Sequence, residues 1–277
     1  MSILKTMMQG LAAAAMALTL GQAAVAQSTV DEIRTRGVLR VAGIPTEAPY
    51  FVRDIRTGEW TGFVVEMAAD MASVLGVELE MVESTWANSI LDVQSGRVDL
   101  AFALTALPTR ALSVSFSEPT YYNSFVIISP NEALATATWA DLNSPTYTIA
   151  VDTGSAQDNI ARQYLPNANI LRFATRDEAV IAVATGRADA IINTVLNGMV
   201  MRERNPAIGA VYVPEPRLSS PSVIGINHAA DDVFKDFVSA WANFNRRMGN
   251  NQTWIVNGLA PFGVTLDELP AGFDFNG

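Results

Sequence analysis

The chain has 277 residues, a formal net charge of −10, a single histidine and no cysteine. An acidic chain without basic clusters is not expected to bind nucleic acid or an anionic membrane surface. The absence of cysteine excludes disulfide bonds, and with His228 as the single histidine a structural zinc site is not expected. We expect neither a metal site nor a cofactor. His228 itself is predicted to be a solvated loop residue.

Residues 1–26 have the features of a cleavable export signal. Lys5 gives a positive start, Leu11–Leu20 forms an apolar run, and Ala24-Val25-Ala26 forms a small-residue cleavage site. The run is shorter than the roughly 20 apolar residues that a membrane-spanning helix needs. We therefore expect export to the periplasm, and a soluble mature chain that begins at Gln27 and is long enough for two ordinary domains.

In the first half of the chain, strand-like and helix-like segments alternate. The predicted elements are a strand at Val38–Gly43, a turn at Thr57-Gly58-Glu59, a helix from Phe63 that ends at Gly76, a strand at Val77–Val82, a helix at Ala87–Gln94 and a strand from Leu100 onwards. This alternation is typical of a parallel α/β sheet.

The second half repeats the alternation after an extended apolar run at Phe125–Ile128. The predicted elements are strands at Tyr147–Val151, Ile170–Phe173 and Val223–Ile226, and helices at Ala156–Tyr164, Asp177–Ala184, Val195–Arg204 and Asp231–Met248. The apolar face of the last helix is predicted to comprise Val233, Phe234, Phe237, Val238, Trp241 and Phe244.

One phrase occurs twice, as Ser95-Gly96-Arg97-Val98-Asp99 and as Thr185-Gly186-Arg187-Ala188-Asp189. Each copy follows a predicted helix and leads into an apolar strand, and the glycine suits the left-handed position after a helix. We expect Asp99 and Asp189 to accept hydrogen bonds from backbone donors. Two copies indicate two lobes with a cleft between them. The predicted inserted lobe spans 129–216, and 27–128 with 217–277 form the other lobe, so two crossovers act as the hinge.

The loops at the carboxyl ends of the parallel strands are where ligands are expected to bind. Arg110 is the strongest candidate, because a guanidinium matches a carboxylate with two parallel hydrogen bonds. Gly154 and Ser155 precede a helix, so their backbone N–H groups and the Ser155 hydroxyl form a candidate anion site. Ordinary N-capping by Ser155 is the other interpretation, and the two are compatible. Trp86, Tyr50 and Phe51 are candidates for aromatic walls. The sequence contains no motif of a hydrolase, phosphate-binding loop or metalloprotease, so catalysis is not predicted.

In this order and spacing, several motifs resemble the extracellular solute-binding proteins of family 3, the binding components of ABC importers. They are Gly37-Val38-Leu39-Arg40-Val41-Ala42-Gly43, Thr61-Gly62-Phe63, Ser95-Gly96-Arg97-Val98-Asp99, Pro108-Thr109-Arg110, Phe116-Ser117-Glu118-Pro119-Thr120-Tyr121 and Asp152-Thr153-Gly154-Ser155. The resemblance implies a type II periplasmic-binding fold, with two α/β lobes that are joined by a two-strand hinge and close on the ligand. It also implies that Arg110 holds the ligand's α-carboxylate, and that Ser155, Trp86 and the Glu47 loop line the pocket.

Two departures from the family pattern bear on the ligand. The segment before Arg110 is one residue short, so Thr105 is the candidate to replace a family threonine. Where family members place an aspartate for the ligand's ammonium, this chain has Thr194, preceded by Asn193. A buried ammonium needs a counter-charge, and Glu47 is the hypothesised source. The alternative is a carboxylate ligand without a free amine, or a modified amino acid.

The first functional hypothesis is a monomeric periplasmic binding protein that delivers a small carboxylate-bearing solute to the permease subunits of an ABC importer. The second is an enzyme on the same fold, similar to cyclohexadienyl dehydratases, with Glu47 as the general acid. A sensor module is a third and weaker alternative.

Overall fold

The computed structural model of the protein describes residues 28–275, and the predicted export signal at 1–26 lies outside this range. Within the described range, no helix combines the length and the apolar character that a membrane crossing requires.

The elements alternate as predicted, and most bounds agree within two residues. The first half contains α1 (Thr29–Arg36), β1 (Val38–Gly43), β2 (Val52–Arg53), β3 (Trp60–Thr61), α2 (Phe63–Leu75), β4 (Glu78–Glu83), α3 (Trp86–Gln94), β5 (Leu100–Thr105), α4 (Pro108–Ala111), β6 (Val114–Phe116) and β7 (Tyr121–Ser129). The second half contains α5 (Trp139–Leu142), β8 (Thr148–Asp152), α6 (Ala156–Tyr164), β9 (Asn169–Phe173), α7 (Arg176–Ala184), β10 (Ala190–Thr194), α8 (Val195–Arg204), β11 (Ala210–Tyr212), β12 (Ser219–Asn227), α9 (Asp232–Arg247) and α10 (Asn250–Leu259).

The main sheet confirms the predicted α/β architecture with two lobes. Its strand order is β4-β1-β5-β12-β7-β10-β8-β9. In one half, β1 pairs in parallel with β4 and β5, and in the other β8 pairs in parallel with β9 and β10. The antiparallel strands β12 and β7 lie between the two halves. Two parallel α/β units are therefore joined through two long strands.

Strand β7 passes from one half of the sheet to the other. Its residues Tyr121–Ser124 pair with β12, whereas Phe125–Ile128 pair with β10. A single strand thus belongs to both lobes, as a hinge strand must. The predicted lobe boundaries at 128/129 and 216/217 fall next to these crossovers and stay a prediction.

The two copies of the repeated phrase make the same contact in the two halves, as predicted. The backbone N–H of Arg40 donates to the Asp99 carboxylate at 2.8 Å, and the N–H of Thr148 donates to Asp189 at 2.7 Å. In return, the backbone N–H groups of Asp99 and Asp189 donate to the carbonyls of Arg40 and Thr148. Each aspartate therefore ties the start of its strand to the neighbouring parallel strand.

The prediction for the apolar face of α9 was partly wrong. Phe234, Val238 and Trp241 are buried, but Val233 and Phe244 are each 60 % exposed. Helix α9 packs against α1 and α10, which cover a narrower arc than the apolar residues occupy. His228 is exposed as predicted, and its Nδ1 lies 2.9 Å from the Ser115 hydroxyl.

Candidate functional site

A cavity lies between the lobes, at the carboxyl ends of the parallel strands. Six of the nine predicted site residues line it, namely Glu47, Tyr50, Trp86, Thr105, Arg110 and Thr194. The other three, Asn193, Gly154 and Ser155, lie directly behind the lining. Five of the lining residues were not predicted: Ala103, Ala156, Gln157, Arg176 and Asn197.

Arg110 is a buried cation in the cavity wall. Helix α4 begins with Pro108, whose fixed φ suits the first helical position, and this short helix places Arg110 at 8 % exposure. Its guanidinium donates to two neutral carbonyls, Thr105 O at 3.3 Å and Gly154 O at 3.1 Å. Burial lowers the pKa of Arg110 to about 10, against the opposing charge of Asp152. The positive charge therefore has no carboxylate in direct contact among the described residues.

Arg176 is the principal residue that sequence reasoning missed. It is the first residue of α7, is 4 % exposed, and donates to Asp152 Oδ2 at 2.8 Å and to Asn193 Oδ1 at 2.5 Å. Its Nε lies 3.1 Å from Glu47 Oε1 in the other lobe, as an ion pair outside hydrogen-bond geometry. Burial alone would lower the pKa of Arg176, but the two carboxylates outweigh burial and raise it.

A sequence signal for Arg176 does exist. Trp86 follows the N-cap Thr85, and Arg176 follows the N-cap Thr175, each ahead of one copy of the repeated phrase. The two positions are therefore equivalent in the two lobes. Since Trp86 was predicted to face the cleft, the same reasoning would have pointed to Arg176.

Burial disfavours the ionised form of Glu47, the carboxylate that pairs with Arg176 across the cleft. It is 3 % exposed, and burial raises its pKa to about 7 against the attraction of Arg176, with a further increase from the charge of Asp152. The Asn197 amide donates to Ala48 O at 2.6 Å and only weakly to Glu47 Oε2 at 3.4 Å. A first-lobe carboxylate is thus held by two side chains of the second lobe.

Thr194 occupies the position at which an aspartate was expected. Its hydroxyl lies 3.0 Å from the Tyr50 hydroxyl, which also accepts a hydrogen bond from Asn123 on β7 at 2.5 Å. Asn193 is fully buried, and its Oδ1 accepts from Arg176, so that it positions the guanidinium from behind the lining. Roles for Thr194 and Asn193 in ligand binding stay predictions.

Ser155 acts as an ordinary N-cap, the alternative given for it above. It is 1 % exposed, its hydroxyl donates to Asp152 O at 2.7 Å, and it accepts from the N–H of Asp158 at 3.1 Å. Gly154 meets the other lobe, because a Cβ added there would lie 2.9 Å from the Ala87 Cβ. That Ser155 and Gly154 contact the ligand stays a prediction.

The buried Trp86 indole N–H lies close enough to the Glu47 carboxylate to lower the pKa of that group, but it has no acceptor in full hydrogen-bond geometry among the described residues. Its ring packs edge-on against Phe51 in the cavity wall, with the centroids 6.3 Å apart. An unpaired buried donor costs free energy that an acceptor on a bound molecule would recover. Within 28–275, no group of three or more His, Cys, Asp or Glu side chains is arranged to hold a metal ion.

Two known proteins are similar in sequence to this chain over much of its length. Over 225 residues, the chain is 26 % identical to a cyclohexadienyl dehydratase from Pseudomonas aeruginosa, covering 80 % of this chain and 83 % of that protein. It is 28 % identical to a probable histidine-binding protein from Campylobacter jejuni, covering 66 % of this chain and 70 % of that one.

Among solved structures, an ancestral amino acid-binding protein described as a precursor of cyclohexadienyl dehydratase superposes with a TM-score of 0.73 at 29 % identity, covering 82 % of this chain and 97 % of that one. This similarity confirms the type II periplasmic-binding fold. Residues 39–210 match the family model of the bacterial extracellular solute-binding proteins, family 3. The chain therefore belongs to the bacterial extracellular solute-binding proteins, family 3.

Proposed function

We propose that this protein is the periplasmic binding component of an ABC importer and that it takes up a small carboxylate-bearing solute, an amino acid or an amino-acid derivative. The observation that carries the proposal is Arg110, a buried guanidinium in the cleft that donates, within residues 28–275, only to neutral carbonyls. A ligand carboxylate would replace the water that burial removes, through charge-assisted hydrogen bonds. The indole N–H of Trp86, which lies beside Glu47 and has no acceptor in full hydrogen-bond geometry among the described residues, is a second donor in the same wall.

The charges around the cavity favour a zwitterion. Arg110 and Arg176 supply two positive charges, and Asp152 and Glu47 supply two negative charges when Glu47 is ionised. A ligand with one carboxylate and one ammonium keeps this balance, with Glu47 as the counter-charge that Thr194 cannot supply. A carboxylate without an amine adds an uncompensated negative charge and favours the protonated form of Glu47.

The second candidate function is a dehydratase, and the observation that favours it is again Glu47. A general acid works best when its pKa lies near the working pH, and burial raises the pKa of Glu47 to about 7 inside the cavity. The similarity to a cyclohexadienyl dehydratase agrees with this alternative. In that case Glu47 would donate a proton to the departing hydroxyl of a carboxylated ring.

A melting-temperature screen with the common L-amino acids, prephenate and arogenate tests both candidates. We expect at least one amino acid to raise the melting temperature with saturation, because it binds only the folded protein. Arg110→Gln should weaken that binding about 30-fold or more, as expected for the loss of one partner of a buried charged pair. The matched control is Arg56→Gln, which changes an arginine whose side chain is 91 % exposed.

The outcomes separate the two functions. Saturable binding without chemical change supports the importer component, whereas turnover of prephenate or arogenate that Glu47→Gln abolishes supports the enzyme. Full affinity in the Arg110→Gln variant would contradict the carboxylate site. Glu47→Gln should also weaken binding of amine-bearing ligands more than binding of carboxylates without an amine, and equal effects would contradict its role as counter-charge.

A further inference from the structure

A second polar cavity lies on the first lobe, away from the cleft, with a volume of about 140 Å³. The turn between α9 and α10 forms one side, and the start of β7 forms another. Its lining includes Thr120, Arg246, Arg247, Gly249, Asn251 and Gln252. We call this the α9–α10 cavity.

The α9–α10 cavity is positively charged in an acidic protein. Arg246 and Arg247 line it, and no acidic side chain of the described residues does. Arg247 donates from Nε to the neutral Asn243 amide oxygen at 3.0 Å. The Nε of Arg246 is buried and has no acceptor within 28–275. Because an unmet buried donor on a charged group is costly, the cavity calls for an anionic acceptor.

The N-terminus of α10 adds backbone donors to the same place. The N-cap is Gly249, with φ of 78° and no side chain to accept from the first N–H groups of this ten-residue helix. A Ser, Thr, Asn or Asp at the N-cap would supply that acceptor. With glycine, the N–H groups and the positive end of the helix dipole remain available to an anion.

Asn251 indicates which kind of anion fits. Its side chain is 2 % exposed, and its Nδ2 donates to Thr120 O at 2.6 Å, which fixes the orientation of the amide. Its Oδ1 is therefore an acceptor, and it is buried without a donor among the described residues. A fully deprotonated oxyanion cannot serve this oxygen, whereas an oxyanion that keeps a hydroxyl can.

We propose that the α9–α10 cavity binds phosphate that carries at least one P–OH group, as the free ion or as a phosphomonoester. Its unprotonated oxygens would accept from Arg246, Arg247 and the N-terminal N–H groups of α10. Its hydroxyl would donate to Asn251 Oδ1. The α9–α10 cavity shares no lining residue with the cleft, so phosphate binding there does not depend on the cleft ligand.

Isothermal titration of the purified protein in a chloride buffer tests the proposal, with inorganic phosphate, methyl phosphate, dimethyl phosphate and sulfate as probes. At about pH 6, the second pKa of a phosphomonoester, phosphate and methyl phosphate carry a hydroxyl, and the other two anions do not. We expect phosphate to bind about tenfold or more tightly than sulfate or dimethyl phosphate, which is the effect of roughly one charge-assisted hydrogen bond. Methyl phosphate distinguishes the two forms of the ligand. If it binds, the cavity accepts a phosphomonoester, and if it does not bind, the cavity takes only the free ion.

Two variants locate the binding in the cavity. Arg246→Gln should weaken phosphate binding about tenfold or more, and the exposed Arg56→Gln should leave it unchanged. If Arg246→Gln lowers the melting temperature without phosphate, Arg247→Gln replaces it, because that side chain is exposed. Equal binding of phosphate and sulfate would overturn the proposal, as would no saturable binding at millimolar phosphate. The latter result would mean that water satisfies the unpaired atoms.

Discussion

Glu47 and Arg176 form a buried ion pair that crosses the cleft. Removing two charges from water costs free energy, and their attraction repays it only where further hydrogen bonds complete the site. Arg176 donates such bonds to Asp152 and Asn193, whereas Glu47 has only a weak contact with Asn197 at 3.4 Å and the nearby Trp86 indole among the described residues. The desolvation cost therefore falls on the glutamate, and its pKa rises while the arginine stays charged.

This asymmetry predicts a pH dependence of stability. The pKa of Glu47 is about 7 in the folded protein and about 4.5 in the unfolded chain, so the folded state binds the extra proton between these values. The contribution of Glu47 to the free energy of unfolding is fully present below about pH 4.5 and is lost as the pH rises through about 7. Glu47→Gln cannot titrate, so urea unfolding should show the wild-type stability falling relative to that variant over this window. A constant difference would contradict the prediction.

At the scale of elements, each lobe uses one aspartate to join a helix-to-strand turn to the neighbouring strand. The two copies differ in their surroundings. Asp99 also pairs with the guanidiniums of Arg36 and Arg40, whereas the carboxylate of Asp189 accepts from the N–H of Thr148. The same backbone contact is therefore charge-reinforced in the first lobe.

Asparagine at each position tests this difference, since its amide oxygen still accepts from the backbone N–H. Asp99→Asn loses the two arginine contacts and should lower the free energy of unfolding by about 2 kcal/mol, whereas Asp189→Asn should cost about 1 kcal/mol or less. Urea unfolding with an unchanged m-value gives both numbers. A larger cost for Asp189→Asn would contradict the charge reinforcement.

The elements could be predicted well because their signals are local. The bounds of β1, α6 and α8 agree with the sequence prediction to the residue, since apolar spacing and end residues define them. The site could be predicted only in part. The contact of Glu47 with Arg176 joins residues far apart in sequence and depends on how the lobes meet. The exposure of Val233 depends likewise on how much of α9 its neighbours cover.

At the scale of the whole molecule, the lobes meet through a few direct contacts around the cavity. Arg110 donates to Gly154 O, the Tyr50 hydroxyl meets Thr194, and Asn197 donates to Ala48 O. The lobes are also linked by the Glu47–Arg176 ion pair, by apolar residues of α8 that join the first-lobe core, and by strands β7 and β12. The polar contacts across the cavity can be broken and remade by a hinge motion about β7 and β12.

Gly154→Ala should prevent this approach. The added Cβ would lie 2.9 Å from the Ala87 Cβ across the cleft, on a backbone with φ of 76°. Gly186→Ala is the matched control in the same lobe, because its φ is 72° and its Cβ would meet nothing within 4 Å. We expect Gly154→Ala to weaken amino-acid binding about tenfold or more relative to the control. Small-angle scattering with the amino acid should show a larger radius of gyration for Gly154→Ala, and equal radii would contradict the prediction.

Because of the position of Trp86, intrinsic tryptophan fluorescence can report on the cleft. Of the five tryptophans, Trp139 packs on Tyr164 in the second lobe, Trp241 and Trp254 stack on each other, and Trp60 lies beside Arg53. Trp86 alone among them lines the cavity. A molecule that accepts from its indole N–H changes the polarity around that ring, so occupancy of the cleft is readable as an emission shift from an unlabelled chain.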